Sequence, residues 1–76
     1  MTFREYLQRR RITDTPVGDF VMDARDDKRM PDPANWDDLR RYLSRNVPLE
    51  NKDTVLSAAR QVWRGYQDAL RKASGA

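Results

Sequence analysis

The sequence predicts an all-α fold, a compact bundle of four helices in which the C-terminal helix is the longest. Three observations lead to this prediction. Apolar residues recur at helical spacing in four separate segments. Residues typical of helix N-termini precede these segments. No segment shows the strict alternation of apolar and polar residues that a half-buried strand requires.

The first helix is predicted over residues 3–10. Thr2 and Glu5 have the spacing of a capping box, in which each side chain bonds the backbone of the other residue. Phe3 and Leu7 follow one turn apart and share a face, with Tyr6 beside them.

The second helix is predicted to begin at Pro16. Thr15 is a favourable N-cap, and proline at the first helical position loses no hydrogen bond. The apolar residues that follow are spaced i, i+3, i+4 and i+7, and they are Val17, Phe20, Val21 and Ala24.

Two prolines at 31 and 33 indicate a loop before the third helix. Asn35 with Asp38 predicts the start of that helix, and Pro48 lies just beyond its end. The last helix is predicted from near residue 51 or 53 to about residue 71. We therefore expect a single helical domain over residues 1–72 and a frayed tail over 73–76.

The predicted core consists of large apolar side chains that share the inner faces of the helices. Its members are Phe3, Leu7, Phe20, Val21, Leu39, Leu43, Val62, Trp63 and Tyr66, and Trp36 also has core spacing. The spacing of Tyr42 assigns it to the core less clearly. Because these aromatic residues are assigned to the core, they are not expected to form a stacking surface for single-stranded nucleic acid.

Five short motifs in order along the chain resemble the YozE family of small bacterial proteins. The motifs are Phe3-x-x-Tyr6-Leu7, Pro16-x-x-x-Phe20-Val21-x-Asp23, Asp27-x-x-Met30-Pro31, Leu39-x-x-Tyr42-Leu43 and Trp63-x-x-Tyr66. This resemblance covers nearly the whole chain. It implies a four-helix arrangement similar to the sterile alpha motif (SAM), in a family without an established activity.

The composition narrows the classes of function. The chain has no Cys and no His, so thiolate metal sites, disulfides and histidine-dependent catalysis are excluded. We expect a non-enzymatic protein without metal, cofactor or small-molecule substrate. No apolar run has the length of a membrane helix or a signal peptide, so a cytoplasmic location and no membrane partner are expected.

Four aspartates lie within nine residues of the second helix, at Asp19, Asp23, Asp26 and Asp27. At ~100° per residue, the first three face away from the apolar side and Asp27 lies at the border. Their spacing differs from that of a calcium-binding loop, and nothing else converges on them. The pattern indicates a solvated acidic face, with protein docking as the functional interpretation.

Arginine supplies twelve of the 15 basic residues, and the net charge is +3. A stripe on the last helix contains Arg60, Arg64 and Arg71. The other clusters are Arg9, Arg10 and Arg11 at the end of the first helix, and Arg40 and Arg41 on the third. Solvated faces explain each group singly, whereas their convergence in space would form a phosphate-binding surface.

Charge is unevenly distributed along the chain. The segment 16–35 carries −2 and the segment 51–76 carries +3. Such a dipolar surface favours steered association with a protein partner or weak head-to-tail self-association. The predicted function is therefore a small adaptor or regulatory module that binds protein through the acidic face and the arginine stripe of the last helix. The alternative is a nucleic-acid-binding protein that contacts mostly phosphates through its arginines.

One glycine, Gly65, interrupts the last helix, which costs ~1 kcal/mol relative to alanine. The simplest interpretation is that the helix tolerates this glycine and that the glycine has no particular role. The sharper one is that another backbone, from the first helix or from a partner, approaches closely there.

Overall fold

The first three helices begin at the N-cap residues that the sequence indicates. The computed structural model describes residues 1–75, with the side chains of residues 1–73. It contains α1 (Phe3–Arg9), α2 (Pro16–Asp26) and α3 (Trp36–Asn46). The predicted start of each helix is confirmed, and α1 ends one residue earlier than expected, with Arg10 as its C-cap.

Side-chain hydrogen bonds at each N-cap explain these starting points. Thr2 and Glu5 form the predicted capping box. The Thr15 hydroxyl accepts a hydrogen bond from the Gly18 N–H at 3.1 Å, and the Asn35 side chain accepts one from Asp38 N–H at 2.9 Å. Each bond satisfies a backbone donor that the helix itself leaves unpaired.

The last helix, α4, spans Lys52–Gly75 and is the longest in the structure. A single 3₁₀ turn, Leu49–Asn51, leads into it. The helix was predicted to end near residue 71, and it instead continues into residues 73–75, which were expected to be a frayed tail. Ala76, the last residue of that predicted tail, lies outside the described residues.

Helix α4 is the scaffold of the fold. It packs against α2 and α3, and α1 packs against α2 and, through the rings of Phe3 and Tyr6, against α4. The molecule measures 41 × 26 × 21 Å, and its long dimension follows from one helix of 24 residues at ~1.5 Å per residue. Within residues 1–75 all regular structure is helical, which confirms the compact all-α, four-helix prediction.

The nine residues predicted as the main core are all buried. An aromatic cluster lies at its centre, where the ring of Phe3 lies 5.1 Å from that of Trp63 and 5.3 Å from that of Tyr66. Trp36, which was also expected in the core, is only partly buried: it packs against the core from the first position of α3, with the guanidinium of Arg60 over its ring.

Some core residues were missed. Met30 lies in the proline-rich loop, yet it is only 3% exposed, and Ala58 is buried on α4. A loop residue has no periodicity from which burial can be inferred, and alanines are common on every helix face.

Among the described residues, no helix combines the length and apolar content needed to cross a membrane.

Gly65 does mark a close approach, but not that of a backbone. A Cβ atom at this position would overlap the hydroxyl oxygen of Tyr6 and lie 3.3 Å from Nη1 of Arg10, both on the α1 side. Gly18 has a stricter role, because its Cβ would overlap the backbone carbonyl of Thr13. Glycine therefore allows two segments of the chain to pack closely at each place.

Candidate functional site

The acidic face of α2 forms one side of a groove. Asp19, Asp23 and Asp26 are exposed, as predicted from their helical positions. Asp19 and Asp23 line the groove, one helical turn apart, whereas Asp26 is not among its lining residues. Asp26 is exposed on the same side of α2, ~60° around the helix axis from Asp23, so the acidic face extends beyond the edge of the groove.

This groove, called the acidic groove below, lies between α2, the C-terminal end of α3 and the start of α4. It has a volume of about 460 Å³, within the usual range for binding clefts. Apolar side chains from all three helices and the Met30 loop form its floor, namely Phe20, Ala24, Met30, Leu43, Val47 and Val55. The charged residues that line it, Asp19, Asp23 and Asp27, are all acidic.

Asp27 has a different environment from the one predicted. It is partly buried, and its carboxylate accepts a hydrogen bond of 2.5 Å from the Tyr42 hydroxyl and one of 3.0 Å from the Arg29 N–H. The Tyr42 bond is the largest influence lowering the pKa of Asp27, and it also raises the pKa of Tyr42. Asp27 therefore joins the end of α2 to α3 instead of belonging to a freely solvated face.

Arg4 is the most connected residue that the sequence did not single out. Its guanidinium donates to the backbone carbonyl oxygens of Asp27, at 3.4 Å, and of Met30. Its backbone N–H donates to the Asp32 carboxylate at 3.3 Å. Arg4 thus ties α1 to the loop that supplies Met30 to the groove floor. A contact across 23 to 28 residues leaves no short-range signal in a sequence.

The arginine stripe lies on the outer face of α4, away from the groove. Val55 lines the groove, and Arg64, nine positions further, points in roughly the opposite direction. The guanidinium of Arg60 lies 5.1 Å from the centre of the Trp36 ring. Arg71 forms an ion pair with Asp68, so the stripe is partly neutralised at its C-terminal end.

The remaining arginine clusters do not form an uninterrupted basic surface. Arg40 and Arg41 both pair with Asp37, at 2.8 and 3.1 Å. Arg10 donates to the Tyr6 hydroxyl at 2.7 Å and lies over its ring. Arg9 and Arg11 are exposed. Exposed ion pairs are weak, so they do not forbid phosphate binding, but each one lowers the local positive charge.

A second depression, of about 780 Å³, lies between the α1–α2 loop and α4. Its lining includes Arg10 and Asp53, which have opposite charges, and the hydroxyl groups of Thr13, Thr15 and Ser57. This mixture does not select a ligand of either charge. Among the described residues, no group of three or more acidic side chains is arranged to hold a metal ion.

The acidic groove combines an apolar floor with negative charge and is suited to binding. A carboxyl group is best suited to general acid–base catalysis when its pKa is raised toward neutral pH, and the pKa of Asp27 is shifted in the other direction. No family model, curated protein or solved structure matches this chain. The resemblance to the YozE family and its SAM-like arrangement therefore stays a prediction.

Proposed function

We propose that this protein is a non-catalytic interaction module, an adaptor or regulator, which binds a protein partner through its dipolar surface. The observation that carries the proposal is the separation of charge onto two faces. Asp19 and Asp23 lie beside the groove, and Arg60 and Arg64 lie on the outer face of α4.

Separated charge of this kind is useful for association. Complementary potentials steer the encounter of two proteins and disfavour partners of the wrong sign. The two faces lie on opposite sides of α4, so one molecule can place its acidic face against the basic face of another only in a head-to-tail manner. A foreign partner needs only one of the two faces.

We do not advance nucleic-acid binding as the function, because the basic surface is interrupted. A helix that contacts a phosphate backbone is expected to be free of acidic residues along its exposed face. On α4 both Asp53 and Asp68 are exposed, and on α3 Arg40 and Arg41 share Asp37. A gel shift with random duplex DNA at low salt tests this alternative, and binding that weakens steeply with salt would restore it.

The proposal is tested first by covalent capture. A photoreactive amino acid replaces Thr54 at the groove, Gln67 on the outer face of α4, or Gln8 on α1 as the control; all three side chains are exposed. Irradiation in a lysate of the producing cells should give a discrete protein adduct from Thr54 or Gln67 and none from Gln8. If neither of the first two positions gives an adduct, either with a foreign protein or with a second copy, the proposal is wrong.

Sedimentation separates the two kinds of partner. Self-association should increase with protein concentration and decrease with salt, since exposed charge pairs are screened. Asp23→Lys and Arg64→Glu should each abolish self-association. A mixture of the two variants should form a dimer and nothing larger, because each variant keeps only one of the two complementary faces. A monomer at high concentration and low salt would exclude self-association and leave a foreign protein as the partner.

A further inference from the structure

We propose that the acidic groove binds a basic amphipathic helix of another protein, with apolar side chains of that helix inserted between α2, α3 and α4. This inference rests on the proposed interaction function and specifies which surface binds and what it recognises. The groove combines an apolar floor with a rim whose charged members are all acidic.

The floor provides the apolar half of the recognition. Val47 and Val55 are only partly buried, and they flank the deeper side chains of Phe20 and Leu43. A volume of about 460 Å³ accommodates a few side chains of a ligand but not a folded domain. An amphipathic helix fits such a groove because it presents its apolar residues in a single row.

The rim provides the charged half. Asp19 and Asp23 are exposed one helical turn apart along one edge of α2, so their backbones lie ~6 Å apart, and the partly buried Asp27 adds a further negative charge at the end of the helix. Lysines or arginines at i and i+4 of a partner helix have the same spacing along its axis. The opposite edge carries Asn46 and Thr54, which are neutral and can accept or donate hydrogen bonds.

A second copy of this chain does not supply such a ligand. The outer face of α4 has arginines, but the apolar residues of this helix, among them Val62 and Trp63, face the other way and are buried in the core of the same molecule. Leu49 is 82% exposed and apolar, yet Glu50 follows it and would meet the acidic rim. Charge and apolar character therefore favour a foreign helix over self-association at this site.

The probe is a peptide of roughly 18 residues, made of leucine and lysine arranged on opposite faces of a helix, a length at which a helix can form in water. Its binding is followed by amide chemical shifts of the protein in NMR titrations. Shifts should concentrate on groove residues such as Ala24, Asn46 and Thr54, with little change at Gln8 and Gln67. A peptide with the same composition but alternating leucine and lysine should bind at least tenfold more weakly.

Matched variants distinguish binding at the rim of the groove from non-specific electrostatic attraction to the protein surface. Asp19→Asn with Asp23→Asn removes two rim charges, and Asp14→Asn with Asp26→Asn removes two exposed charges outside the groove. The first pair should weaken binding about tenfold, and the second should leave it within about twofold.

A second pair of variants tests the groove itself. Thr54→Arg introduces a long cationic side chain at the edge of the groove and should abolish peptide binding, whereas Gln67→Arg makes the same change of charge on the outer face of α4 and should not. Both residues are exposed, so neither change removes a core contact. Unchanged circular dichroism spectra check the fold of each variant.

The inference is overturned if the peptide does not bind at millimolar concentration, if its shifts spread over the whole surface, or if both pairs of asparagine variants weaken it equally. None of these results contradicts the wider proposal when photocapture at Gln67 still yields a protein adduct. In that case the module binds protein through α4 and the assignment of the groove is wrong.

Discussion

Replacement of Gly65 by alanine should destabilise the protein, although alanine is the better helix former. In an unstrained helix the change would stabilise by ~1 kcal/mol. Here the new Cβ overlaps the Tyr6 hydroxyl, and the ring of Tyr6 cannot retreat freely because it packs 5.6 Å from the ring of Tyr66. Overpacking of this kind costs ~1–3 kcal/mol. We expect a net loss of about 1 kcal/mol in the free energy of unfolding.

The sign should reverse when the hydroxyl is removed. In Tyr6→Phe, the nearest ring atom, Cζ, would lie 3.5 Å from the new Cβ, an ordinary van der Waals contact. Gly65→Ala should then stabilise by about 1 kcal/mol, so the coupling between the two changes is about 2 kcal/mol. Urea denaturation of the four proteins, followed by circular dichroism, measures this cycle. An equal effect of Gly65→Ala in both backgrounds would refute the reasoning.

Gly18 provides the contrast for that experiment. A Cβ at this position overlaps backbone atoms of Thr13, which no change of a neighbouring side chain can remove. Gly18→Ala should therefore destabilise the protein in both the wild-type and the Tyr6→Phe backgrounds. The comparison separates a clash with a side chain from a clash with the backbone.

Two further predictions concern the core and pH. Trp63→Ala should lower the free energy of unfolding by ~3–5 kcal/mol, because the 5% exposed indole packs on Phe3; a loss below about 1 kcal/mol in urea denaturation would contradict its central place. Asp27 has a lowered pKa, so its stabilising charge is present above about pH 4 and is lost as pH falls through that lowered value. Tyr42 has a raised pKa, so its neutral hydroxyl stabilises the folded state below about pH 10, and this stabilisation is lost as pH rises through the raised value. Tyr42→Phe should cost about 1 kcal/mol between these limits and less outside them, and a difference independent of pH in thermal denaturation would argue against the bond.

The elements of this fold were predictable because their signals are local. The bonds of Thr2, Thr15 and Asn35 to the third residue that follows each of them mark where α1, α2 and α3 begin. Apolar periodicity identified the main core, since on a helix the face of a residue depends only on its position along the chain. The exposed positions of Asp19 and Asp23 follow from the same geometry.

The tertiary structure decided which surfaces meet. The Asp27–Tyr42 bond joins residues 15 positions apart, and the Arg4 bond to the carbonyl of Met30 joins residues 26 apart. Neither distance corresponds to a helical repeat, so neither contact has a pattern in the sequence. These contacts also explain why Met30, in a loop, is part of the core.

The sequence by itself determined that one face of α2 is acidic. It did not determine that this face adjoins apolar side chains from two other helices, because the angles between helices follow from packing over the whole core. The end of α3 and the start of α4 leave Val47 and Val55 partly exposed beside Asp23. An acidic helix face becomes the edge of a groove only when three helices pack around the same space, and that arrangement is a property of the folded chain.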